Sequence, residues 1–190
     1  MTTDMHWLNP PEHWSEAEGI TRVKTNAGTD FWRHTHYGFV RDSGHFRYRN
    51  VLGDCSAQVS IRGHYTTLYD QAGLMLRHDA TRWIKAGVEF TDNLLHFCVV
   101  VTNQWSDWSL IPLPEMAHQA EVGVSLIRVG RTIIIRYRID QGPWRMARIA
   151  AFPYEDKTDI GMMCCSPERA GFEAEFRDFI VGGPVALNGM

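Results

Sequence analysis

The chain has 190 residues, 44% of them hydrophobic, and 19 Lys and Arg against 22 Asp and Glu, for a net charge of −3. That is enough apolar material for one domain over 1–190 with its own core and no help from disulfides or metals. The faintly acidic balance, with no basic stripe, polybasic helix or acidic tail, argues against nucleic acid and against a membrane as partners.

The N-terminus, Met1-Thr2-Thr3-Asp4-Met5-His6, lacks the basic start and apolar centre of a secretory signal. No stretch approaches the roughly 18 uninterrupted apolar residues of a spanning helix. The four cysteines, Cys55, Cys98, Cys164 and Cys165, show no C-x-x-C spacing, and two are adjacent. Reduced thiols in a cytoplasm are the natural expectation, with Cys98 and Cys164 as core residues.

In chain order, the first informative segment is Thr29-Asp30-Phe31-Trp32-Arg33-His34-Thr35-His36-Tyr37. His34 and His36 on one strand face would make half a metal site, but no further ligands follow at a recognisable spacing. No metal or cofactor is expected. Asp30 and Trp32 read instead as rim residues of a groove.

Strand-like runs then follow at 57–65, 69–77, 82–90, 94–102, 124–129, 132–139, 144–152, 159–165 and 171–181. Turn residues such as Gly53-Asp54, His78-Asp79, Asp92-Asn93, Asp140-Gln141-Gly142 and Ser166-Pro167 separate them. Only 115–121 hints at a short helix, and the prolines at 112 and 114 read as a loop. Many short strands without amphipathic helices mean an all-β sandwich or barrel.

Alternation is most informative in the hairpin 69–90. Ala72, Leu74 and Leu76 share one face with Ile84, Ala86, Val88 and Phe90. The opposite face gathers Tyr69, Gln71, Met75, Arg77, Trp83, Lys85 and Glu89, and Gly73 and Gly87 leave room between them. A one-residue slip would expose every apolar side chain, so burial sets the register. Aromatic rings beside a few polar groups are the chemistry of a ligand site, here one suited to a sugar.

Further on, Trp105-Ser106-Asp107-Trp108-Ser109 reads as a turn at the sheet rim, Ser106 and Asp107 capping backbone and Trp108 packing or lining the groove. After the Asp140-Gln141-Gly142 turn, Trp144, Met146 and Arg148 alternate onto one face. From there Arg148 reaches either the groove or a neighbouring carboxylate.

Glycoside hydrolysis needs two carboxyl groups about 5–9 Å apart. Strand 82–90 supplies only Glu89, and Asp70 points coreward in this register. Catalysis is therefore unassigned, with Glu89 the candidate if there is any. No D-x-D-x-D loop for calcium is present.

The series Thr29-Asp30-Phe31-Trp32, Tyr69-Asp70-Gln71-Ala72-Gly73-Leu74-Met75, Trp83-Ile84-Lys85-Ala86-Gly87-Val88-Glu89, Ser106-Asp107-Trp108-Ser109, Asp140-Gln141-Gly142 and Ser166-Pro167 before Gly171-Phe172 resembles a domain-of-unknown-function family of the "regulation of enolase" type. The resemblance runs from about Trp14 to Ile180. It implies a concanavalin A-like lectin/glucanase fold: two antiparallel sheets in jelly-roll order, one concave. It also implies kinship with accessory sandwich domains of β-xylosidases. The family's recurring polar positions fall on Asp30, Tyr69, Gln71, Lys85, Glu89, Ser106, Asp107 and Trp108.

The leading expectation is a cytoplasmic lectin-like protein binding a carbohydrate or sugar-derived ligand. Trp32, Tyr69, Trp83 and Trp108 would stack on it, and Asp30, Gln71, Arg77, Lys85, Glu89, Asp107 and Arg148 would serve as polar contacts. The alternatives are a glycoside-acting enzyme using Glu89, and a regulatory domain that binds a protein such as a metabolic enzyme.

Overall fold

The computed structural model describes residues 5–114 and 120–186. Among them there is no α-helix, and none therefore long and apolar enough to cross a membrane. The helix expected at 115–121 falls mostly outside the described residues.

Two seven-stranded sheets face each other, every neighbouring pair antiparallel. The first runs β1 (His6–Leu8), β6 (His45–Leu52), β15 (Lys157–Cys165), β8 (Gln71–Asp79), β9 (Arg82–Thr91), β10 (Leu94–Asn103), β11 (Trp105–Pro112). The second runs β14 (Arg145–Ala151), β13 (Thr132–Ile139), β12 (Val122–Val129), β7 (Cys55–Gly63), β16 (Glu173–Gly182), β3 (Ile20–Lys24), β2 (His13–Ala17). A separate hairpin, β4 (Phe31–Arg33) with β5 (Val40–Asp42), belongs to neither.

The core lies between the sheets. Leu74 sits opposite Ala86 and Leu76 opposite Ile84, and all four are sealed against Val124, Leu126, Ile133 and Ile135 of the other sheet. The register reached from alternation is the one observed, because only it buries this stripe. Fully burying such a side chain is worth about 1.5–3 kcal/mol. The four cysteines are buried and unpaired.

Strands β1–β5 lie outside the expected runs, and three further features depart from the expectations. The Trp105–Ser109 segment is no turn but the first half of edge strand β11, paired with β10 from Asn103 opposite Trp105. β6 escaped notice because Arg47 alternates inward. Its guanidinium donates across the sandwich to the second sheet, to Thr21 Oγ1 at 3.0 Å and Glu16 Oε2 at 2.7 Å. In β14, a bulge leaves Arg148 opposite Ile135 and Met146 opposite Arg136. The extra residue breaks the period-2 rule, so Arg148 turns to the inner side while Met146 stays outside.

Candidate functional site

Residues 29–44 cross the outer face of the first sheet and divide it. Phe31 packs on Trp83, with ring centroids 6.0 Å apart. Beneath the β4–β5 hairpin, Phe31, Phe46, Met75, Trp83, Met163 and Cys165 form a second apolar cluster. Polar bonds fasten the hairpin. The Arg77 guanidinium donates to both Asp42 carboxylate oxygens at 2.9 Å. The Arg33 N–H donates to Ser106 Oγ at 3.0 Å, and Lys85 Nζ to the Phe31 carbonyl at 2.8 Å.

Beside the hairpin the same face opens into a cavity of about 210 Å³. Its walls are Trp32, Tyr37, Phe39, Tyr69 and Trp108, its floor Gln71, Lys85, Glu89 and Val100, with Asp30 at the side and Arg41, Pro167 and Glu168 at the remaining margin. Trp32 meets Trp108 at 87° and Tyr37 at 70°, and Tyr69 meets Trp108 at 73°, with centroids 5.6–6.4 Å apart. The rings thus stand as the sides of a box. The Tyr37 and Tyr69 hydroxyls, 3.0 Å apart, close one corner. Tyr69 lies just before β8 with φ +64°, so the turn, not strand alternation, aims its ring.

The floor is a buried charge network. Lys85, 2% exposed, directs Nζ to Phe31 O, to Gln71 Oε1 at 2.7 Å and to Asp30 Oδ1 at 3.4 Å. Burial works against its charge, but the nearby carboxylates, Asp30 foremost, outweigh it and raise its pKa. Glu89 is also buried, and there desolvation prevails over the Lys85 charge, carrying the carboxyl up to about 7. The Cys98 thiol, held protonated by burial, donates to Glu89 Oε2 at 3.4 Å, and Trp108 Nε1–H donates to Cys98 Sγ at 3.1 Å. The hydrogen bond with Tyr37, above all, pushes the Tyr69 hydroxyl upward.

Of the expected residues, Asp30, Trp32, Tyr69, Gln71, Lys85, Glu89 and Trp108 line this cavity. Four do not. Trp83 is fully buried under Phe31 and offers no ring to a ligand. Arg77 is engaged by Asp42. Asp107 and Arg148 pair with each other at 2.9 Å across the β11–β14 edge, so Arg148 reaches the carboxylate and not the groove. Ser106 caps no turn but bonds Thr102 and Arg33. His34 and His36 follow β4 with φ of 59° and 63°, off any strand face, and the His34 ring rests on Trp105 at 5.1 Å.

Tyr37, Phe39 and Glu168 were not anticipated. The aromatic pair in His36-Tyr37-Gly38-Phe39 was a usable signal. Glu168 had none, because its position depends on a remote contact: its neighbour Arg169 grips Asp70, which also accepts the Thr66 and Thr67 N–H groups at 3.0 Å. Asp70 is thereby wholly structural. A larger depression, about 780 Å³, lies on the outer face of the second sheet. Solvated ion pairs such as Arg22–Glu175 and Lys24–Glu173 line it, which is ordinary chemistry for an exposed sheet.

Residues 7–183 match the family described as protein of unknown function DUF1349. The chain belongs to that family. It is 37% identical over 179 residues to "Regulation of enolase protein 1" of Saccharomyces cerevisiae, covering 94% of this chain and 89% of the yeast protein. The crystal structure of a functionally unknown yeast protein superposes with a TM-score of 0.91 at 36% identity, covering 96% of this chain and 97% of that one. A Bacteroides ovatus protein, xyloglucan PUL GH43B, superposes at 0.74 and 18% identity, over 96% of this chain but 37% of its own. The concanavalin A-like jelly-roll sandwich is therefore shared with part of that protein, a likeness of fold.

Proposed function

We propose that this DUF1349 protein is a lectin-like binding protein that takes a small carbohydrate or sugar-derived ligand in the cavity beside the hairpin. The supporting observation is the convergence there of Trp32, Tyr69 and Trp108 with Asp30, Gln71 and Glu89, brought by β4, the turn before β8, β8, β9 and β11. Apolar walls with a few fixed polar groups are how small-ligand sites are built. The size suits a single sugar unit. A carbohydrate ligand also fits the B. ovatus protein of the same fold, whose name includes a xyloglucan. Residues 1–190 act as one domain in this reading, and the four free thiols suit a reducing compartment such as the cytoplasm.

Titration calorimetry against a monosaccharide panel tests it. Trp108→Ala and Glu89→Ala are expected to weaken binding by about tenfold or more, as loss of a buried contact does. Asp107→Ala, outside the cavity, leaves it unchanged. Equal binding by all variants would rule out this cavity as the site.

A second reading has one observation in its favour: Glu89 titrates near 7 and shares its cavity with Asp30 and Glu168, as a general acid with a second carboxylate would. Hydrolysis of aryl glycosides that disappears in Glu89→Gln would establish it. A regulatory partnership with a metabolic enzyme is the third reading, supported by the name of the yeast relative. Co-purification that survives Trp108→Ala would place that contact elsewhere on the molecule.

A further inference from the structure

We propose that the ligand of this cavity carries a cationic nitrogen, an ammonium group on a small polyol, of which an amino sugar is the simplest case. This rests on the reading of the cavity as a sugar site and names the ligand class within it.

Ring geometry is the first argument. Sugars usually lie on a flat aromatic platform, whereas here Trp32, Tyr37, Tyr69 and Trp108 meet at 70–87° and surround a space. Rings at such angles around one volume cannot all present their edges to it, and the electron-rich ring faces attract a cation, most strongly once it is desolvated.

The second argument is the donor and acceptor inventory. The interior donors that would greet an anion or a carbonyl, the Lys85 ammonium and the indole hydrogens of Trp32 and Trp108, already have protein acceptors. Lys85 Nζ is held by Phe31 O, Gln71 Oε1 and Asp30, Trp32 Nε1 by the Thr35 carbonyl, and Trp108 Nε1 by Cys98. Beside one Gln71 amide hydrogen, one hydrogen of the Tyr37–Tyr69 hydroxyl pair and the Arg41 guanidinium at the margin, the groups with capacity left are carboxylates. Glu89 receives one thiol on Oε2, and no other side-chain donor among the described residues reaches it. Asp30 uses Oδ1 for the Phe31 N–H and for Lys85, which leaves Oδ2. Glu168 stands at the margin, exposed.

Charge agrees. Lys85 and Asp30 cancel as a pair, which leaves Glu89 as the interior group able to hold a net charge. Its carboxyl titrates close to neutrality and is ready to ionise when a positive charge enters. At the margin Arg41 lies over the Phe39 ring at 5.0 Å and opposes Glu168; both are solvent-exposed and screened.

The test measures binding of glucosamine, glucose, N-acetylglucosamine and choline to the full chain at neutral pH by titration calorimetry. The expected result is glucosamine about tenfold tighter than glucose or N-acetylglucosamine, with choline competing for the same site. Glu89→Gln, nearly isosteric, weakens glucosamine and choline about fivefold more than it weakens glucose. Trp108→Leu, which keeps apolar bulk, also lowers choline affinity; its melting temperature and that of Glu89→Gln verify folding. Equal affinity for glucose and glucosamine overturns the cationic inference and leaves the sugar reading standing. Binding of choline with no sugar bound overturns the sugar reading and keeps the cation. No binding of any of the four at about 10 mM overturns both.

Discussion

The two halves of one sheet face make the most useful comparison in this molecule. Both are built by the same alternation on β8 and β9. Toward the Arg77–Trp83 end, Met75 and Trp83 lie under the β4–β5 hairpin and form an apolar secondary core. Toward the Gln71–Glu89 end, one hairpin-width away, the hairpin no longer covers the sheet, and Gln71 and Glu89 floor an aromatic cavity. Facing away from the main core thus decides nothing by itself. What lies on top converts one half into structure and leaves the other half as an open cavity.

The sharpest way to break the comparison is at Trp83. Trp83→Ala is expected to cost about 3–5 kcal/mol, the penalty for emptying a large buried site. Trp83→Phe costs less, since among the described residues the indole Nε1 has no hydrogen-bond partner to lose. Denaturant unfolding reads both. If Trp83→Ala weakens ligand binding while stability stays intact, Trp83 belongs to the open half after all.

Next in size is Glu89→Gln. Folding raises the Glu89 pKa from 4.5 to about 7, so the folded state holds its proton more tightly than the unfolded chain. That contribution is fully present below 4.5 and is lost as pH climbs through about 7. Glu89→Gln removes the loss, and the variant is more stable than the parent by roughly 2–3 kcal/mol above about pH 8 and nearly equal to it below pH 5. The comparison is made between variant and parent, so the opposing His45, whose pKa burial lowers, cancels. Parallel pH profiles would show that Glu89 is not a desolvated carboxyl.

The Asp42–Arg77 clasp tests what holds the cover in place. Asp42→Ala leaves a buried guanidinium without its carboxylate. Because Asp42 is partly exposed, the expected loss is about 2 kcal/mol and not the 3–5 of a sealed pair. Faster hydrogen exchange at Phe31–Arg33, with β12–β13 unchanged, is the accompanying signature. The smallest effect belongs to Asp107→Ala, within about 0.5 kcal/mol by thermal melting, because its pair with Arg148 is solvent-exposed on the carboxylate side.

Much of the site was legible because Gln71, Lys85 and Glu89 sit on regular strands where side-chain direction follows from parity. Trp108 and Tyr69 were identified for the site without their backbone: one belongs to a strand read as a turn, the other to a left-handed turn read as a strand. Arg148 was misdirected because a bulge reverses parity and leaves no mark in the residues themselves. Glu168 was invisible because it arrives on a turn moored by Asp70, 99 positions from Arg169 in the chain.

The amino-acid sequence by itself determined the sandwich, the register of β8 against β9, and which side chains share a face. Those follow from period-2 burial and from turn residues, which are properties of neighbours in the chain. Only the tertiary structure decided which members of that face are sealed and which are open. Coverage depends on where a hairpin well upstream of β8 and β9 comes to rest, and on the Asp42–Arg77 and Phe31–Lys85 contacts, 35 and 54 residues apart in the chain, that hold it there. Such long-range contacts set the boundary between core and cavity, and no local pattern encodes them.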